Sequence, residues 1–108
     1  MKGIFLLILF AMLAGTVHAK GNAENGKAKA AQVCAACHGA DGAKPTAPDQ
    51  PILAGQYPDY LVKALSDYKT GKRSNPIMKA FAGQLSKQEI EDLAAWFSSQ
   101  KSDLHFQR

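Results

Sequence analysis

Cysteine is nearly missing from this chain. There are two in 108 residues, Cys34 and Cys37, with two alanines between them. So small a number excludes a disulfide-laced scaffold, and a bridge between these two would close a loop too short to constrain the unfolded chain much. Histidine is as scarce, at three residues, and one of them, His38, stands directly behind Cys37. No apolar run reaches the ~20 residues of a membrane-spanning helix; the longest unbroken one is Ile4–Leu13. Lys and Arg outnumber Asp and Glu by 13 to 9, but they are scattered, without the basic runs of a nucleic-acid binder. Strand-like alternation and internal repeats are also lacking, which leaves helices and loops.

What is present begins with the amino terminus. Lys2, the apolar run and the small-residue ending Val17-His18-Ala19 have the layout of an export signal cut after Ala19. The expected organisation is therefore a cleaved leader over 1–19 and one domain over 20–108 with a short polar tail. Once the leader is removed the chain inserts in no membrane, carries a net charge of +3 instead of +4, and keeps Met78 as its one methionine. A chain this short buries a small fraction of its surface and gains from a staple or a cofactor.

Helical periodicity places a first helix from Ala23 to Cys37 behind an Asn22 cap, with Gly26, Ala30, Val33, Cys34 and Cys37 on one face. From His38 to Gln56 the texture changes to loop, with Pro45, Pro48, Pro51 and three glycines. Loops of this length in compact domains usually serve a site. A second helix is expected over Pro58–Thr70, with Tyr57, Leu61, Ala64, Leu65 and Tyr68 on its apolar face and Gly71 as its stop. Lys72 to Pro76 reads as loop, then a short turn from Met78 to Ala82. The last helix starts at the capping box Ser86-Lys87-Gln88-Glu89 and carries Ile90, Leu93, Ala94 and Phe97 on one face with Trp96 beside it. Glu89, Glu91 and Asp92 are read as its solvated side. The fold class is all-α, three main helices and a long loop.

On a helix, Cys34, Cys37 and His38 stand at i, i+3 and i+4 and share a face. Three chemistries compete for that arrangement. A redox dithiol wants a βαβ setting, which the pattern does not provide. A structural zinc site typically takes four ligands, and only these three are clustered. Covalent attachment of one haem uses both thiols and leaves His38 as an axial iron ligand, the spacing characteristic of c-type haem attachment. Granted a haem, Met78 is the candidate sixth ligand; His105, in a polar tail, competes poorly, and an open position is the third outcome. Without a haem, Met78 would be an ordinary gap-filling core residue.

At this point the chain resembles the class I cytochromes c, of the small bacterial periplasmic monohaem type. The resemblance runs over residues 22–99 through Gly26 and Ala30, CAACHGADG, PILAGQ, YLVKAL, MKAFAGQLS and LSKQEIEDLAAWF. It implies a cytochrome c fold around one covalent haem c and its iron. Cys34 and Cys37 would carry the thioether bonds, and His38 and Met78 would be the axial ligands. The carbonyl of Pro51 would accept the Nδ1–H of His38. Gly26 and Ala30 would let the first helix cross closely against Leu93 and Trp96, and Gln56, Tyr57 and Arg73 would contact the haem. Where some relatives carry a bulky aromatic one turn after Gly26, this chain has Ala30, and Trp96 is expected to fill the space.

No catalytic acid, base or nucleophile is evident beside the motif, so the expected function is a periplasmic, monomeric single-electron carrier rather than an enzyme. Its redox partners would dock through Lys44, Lys63, Lys72, Arg73 and Lys79. Two alternatives stand beside it: a haem protein that binds or transforms a gas or peroxide at a weak sixth position, and a haem subunit of a larger oxidoreductase.

Overall fold

The structure, a computed structural model, describes residues 21–102; the expected leader and His105 lie outside the described residues. Five helices follow in order: α1 (Ala23–Val33), α2 (Ala35–His38), α3 (Pro58–Thr70), α4 (Pro76–Ala82) and α5 (Lys87–Ser98), with no strand among the described residues. The all-α expectation holds, and α3 has the expected ends. Pro58 opens it, and Gly71 closes it in the left-handed conformation at φ 88°, where a Cβ is penalised.

Two boundaries differ from expectation. The first helix breaks at Cys34, because the Cys37 N–H reaches back only three residues, to the Cys34 carbonyl at 3.2 Å. That tighter winding ends regular α geometry just where the motif begins. Downstream, α4 starts at Pro76 rather than Met78. Asn75 caps it, its Oδ1 accepting the N–H groups of Ile77 and Met78 at 3.0 Å each, and Pro76 suits the first helical turn.

The core lies where α1 crosses α5 and α3 packs on α5. Gly26 makes the crossing possible: a Cβ there would run into the Asp92 carbonyl and come within 2.9 Å of the Trp96 Cβ. Ala30 and Leu93 are wholly buried beside it, joined by Ile90, Ala94, Phe97, Leu61 and Leu85. Asp92 is not on a solvated side as expected. It is buried, and its Oδ1 accepts from the Asn22 N–H at 2.8 Å and Gln88 Nε2 at 2.9 Å, the partners a buried carboxylate needs. Glu89 completes the expected capping box and pairs with Lys29 at 2.8 Å; the Lys29 contact first, then the Ser86 N–H, lowers its pKa. Trp96 packs against the core and also ties in the loop, donating from Nε1 to the Ala40 carbonyl at 3.1 Å.

Residues 39–57 form the long loop, and backbone hydrogen bonds hold it in place. Thr46 N–H reaches the Cys37 carbonyl at 2.9 Å, Leu53 N–H the Gly42 carbonyl at 2.8 Å, and Gly55 N–H the Phe97 carbonyl at 2.9 Å. The Gln50 Oε1 collects Thr46 and Ala47 at 2.9 Å each. Pro51 is thereby set in a braced segment rather than a loose one.

Candidate functional site

A cavity of about 540 Å³ opens between α2, the loop, α3 and α4, within the size range of cofactor sites. Cys34, Cys37 and His38 enter it from one side and Met78 from α4. Apolar walls come from Leu53, Leu61, Leu65, Leu93 and Phe97, so the cavity continues the hydrophobic core.

His38 is buried, and its Nδ1 lies 2.9 Å from the Pro51 carbonyl. A carbonyl only accepts, so this contact requires the proton on Nδ1 and leaves Nε2 with a free lone pair. The imidazole is thus held in one orientation, as a metal-ligating histidine is. No disulfide joins Cys34 to Cys37. Burial, and next the neighbouring Cys37, push the Cys34 thiol up to about 11, with Lys29 offsetting part of the rise. A redox dithiol works by a depressed thiol pKa; this shift has the opposite sign and weighs against that chemistry. Among the described residues no group of three or more His, Cys, Asp or Glu could hold a metal ion.

At the mouth, Arg73 Nη1 donates to the Tyr60 hydroxyl at 3.2 Å, and its guanidinium carbon lies 4.9 Å from the Tyr68 ring centroid. The Tyr60 hydrogen bond raises the guanidinium pKa further, so the charge is permanent. Gln56 and Arg73 both line the cavity; Tyr57 lies outside its lining, and Tyr60 takes a place there instead. The signal for Tyr60 was its spacing: Tyr60, Ala64 and Tyr68 repeat at i, i+4 and i+8 on the face that α3 turns to the cavity. Ile52, Ile77 and Phe81, also absent from the sequence-based set, line the cavity while staying partly exposed, Ile77 at 66%. Lys44, Lys63, Lys72, Arg73 and Lys79 are all exposed, and Lys63 is paired with Asp67 at 2.7 Å.

The residues fit a covalently held haem. Two thiols, one imidazole with its lone pair freed by a backbone carbonyl, a thioether and an apolar enclosure meet in one cavity.

Comparison with known proteins agrees. The family model for cytochrome c matches residues 23–101. Cytochrome c4 of Pseudomonas aeruginosa is 52% identical over 100 residues, covering 93% of this chain and 49% of that protein. The thiosulfate dehydrogenase electron acceptor of Stutzerimonas stutzeri is 38% identical over 95 residues, covering 88% of this chain and 44% of that one. The crystal structure of reduced recombinant cytochrome c4 from Pseudomonas stutzeri superposes with a TM-score of 0.70 at 44% identity, over 78% of this chain and 48% of the other. The chain spans about half the length of these relatives.

Proposed function

The chain belongs to the cytochrome c family, and from that premise we propose that it is a periplasmic one-electron carrier. One haem c would be bound through Cys34 and Cys37, with iron between His38 and Met78. The observation that carries the reading is the 2.9 Å contact between His38 Nδ1 and the Pro51 carbonyl, in a cavity shared with both thiols and Met78. When bound, the haem supplies a reversible one-electron couple.

The chain's own residues do the rest. The braced loop fixes Pro51, Pro51 fixes the imidazole ring, and the ring presents Nε2. Leu53, Leu61, Leu65 and Phe97 exclude water, which together with thioether ligation favours the less charged, reduced state. Arg73, with Tyr60 and Gln56, offers a cation and hydrogen-bonding groups at the mouth for the carboxylates of the macrocycle. Lys44, Lys72, Arg73 and Lys79 would steer acidic redox partners; the association rate should then fall as ionic strength rises.

The domain reading is part of the proposal. Export would remove residues 1–19, and amino-terminal sequencing of periplasmic material should begin at Lys20. The test of ligation is the ferric absorption spectrum. A weak charge-transfer band of thioether-bound ferric haem should be present, and Met78→Ala should lose it and become high-spin. A high-spin wild type that binds azide readily would instead support the gas- or peroxide-binding reading. A second reading, an electron-accepting subunit seated on a dehydrogenase, draws on the name of the Stutzerimonas relative. Gel filtration of native extract separates it from a free monomeric carrier.

A further inference from the structure

Helix α4 carries Met78 and packs on α3, yet most of its side chains face solvent. It has seven residues, too few to be stable as an isolated helix. Pro76, Ile77, Lys79, Ala80 and Phe81 are exposed, and Ala82 alone is fully buried. Side-chain hydrogen bonds add ties at both of its ends. At the start, the Asn75 Oδ1 accepts the N–H of Met78 itself. Past the other end, the Lys69 Nζ, from the last turn of α3, donates to the carbonyls of Gly83 at 3.1 Å and Leu85 at 2.6 Å. The ammonium thus sits beside the C-terminal ends of two helices, where the backbone dipoles favour a cation. It is half-buried, unlike the four cations proposed for docking.

We propose that Lys69 is a positioning residue for Met78: by bridging the Gly83 and Leu85 carbonyls it clamps α4 to α3 and keeps the thioether on the iron. This rests on the ligation of Met78 proposed above. Both carbonyls belong to the chain that leaves α4, so releasing them frees the helix from its carboxyl-terminal side while Asn75 still holds its start. The α1–α5 crossing does not involve Lys69, so the global fold should survive the loss of the clamp.

The test uses the ferric holoprotein and imidazole, which competes with Met78 for iron. Any increase in the population with Met78 detached strengthens apparent imidazole binding in proportion. Lys69→Met should bind imidazole about tenfold more tightly than wild type, equivalent to about 1.4 kcal/mol, and its thioether charge-transfer band should disappear at lower temperature. Lys69→Arg, which keeps the donors, should return both readouts to the wild-type values. Met78→Ala serves as the control for ligation. If Met78→Ala binds imidazole no more tightly than wild type, the ligation reading fails and the positioning role falls with it. If Met78→Ala binds far more tightly but Lys69→Met matches wild type, the positioning role alone is overturned. A lowered unfolding temperature in Lys69→Met with unchanged imidazole affinity also overturns it, since that is the mark of a merely structural contact.

Discussion

The α1–α5 crossing and α4 hold the two sides of one cavity by opposite means. At the crossing, Gly26, Ala30, Asp92, Leu93 and Ala94 are buried and the backbones nearly touch. At α4, most side chains are exposed, and the ends are tied by the Asn75 Oδ1, which accepts two N–H groups, and the Lys69 Nζ, which donates to two carbonyls. His38 therefore belongs to a welded region, through α1 and the braced loop, whereas Met78 belongs to a strap. On the proposed ligation, the stability of the fold and the retention of Met78 on the iron should therefore be separable. Global unfolding reads the first, and ligand exchange reads the second.

Substitutions can break or sharpen that contrast. Gly26→Ala should have the largest effect, because the new Cβ meets the Asp92 backbone rather than a movable side-chain end. A loss of at least about 3 kcal/mol is expected, at or above the upper end of ordinary overpacking, measured by chemical denaturation of the holoprotein. Leu93→Ala removes a fully buried side chain and should cost about 2–5 kcal/mol, read as a lowered denaturation midpoint with an unchanged slope.

Two helix caps then give the sharpest comparison. Ser86→Ala deletes the cap of α5, which packs in the core, and should lower global stability by about 1 kcal/mol. Asn75→Ala deletes an equivalent cap of α4. Its effect should appear as faster hydrogen exchange at the Ile77 and Met78 amides, with the global midpoint hardly moved. Equal midpoint shifts in the two variants would erase the distinction between weld and strap.

The smallest effect at neutral pH concerns Cys34 in the haem-free chain. Its thiol pKa is raised in the folded state to about 11 from 9.0, so the folded chain holds the proton longer than the unfolded one. Stability from that source is complete below about pH 9 and is lost as pH climbs toward 11. Iodoacetamide labelling of Cys34 should accordingly keep rising beyond pH 9 in folded protein while levelling off in urea.

Local signals carried much of this architecture. Pro58 with Gly71, and Ser86 with Glu89, set the ends of α3 and α5 through backbone chemistry that depends on nearby residues alone. The haem motif was legible for the same reason, as three reactive side chains in five residues. The start of α4 was legible too, in Asn75-Pro76, but its polar flank obscured it. Periodicity placed Leu61, Ala64, Leu65 and Tyr68 on the face that α3 turns to the cavity, but the same face also carries Tyr60, which that reading left out. The burial of Asp92 depends on Asn22, seventy residues away in sequence, and no local pattern reports that. Lys69 was hidden for a related reason: its acceptors are backbone carbonyls, which carry no residue signature.

Cys34 and Cys37 are proposed to bind a haem covalently while His38, oriented by Pro51, and Met78 hold its iron. Intact mass spectrometry of protein expressed with a working c-type maturation system, after acid-acetone extraction, tests it most directly. The protein should show the mass of residues 20–108 plus one haem, with the haem retained through extraction. A mass of the bare chain, or a haem that acid-acetone removes, would contradict it.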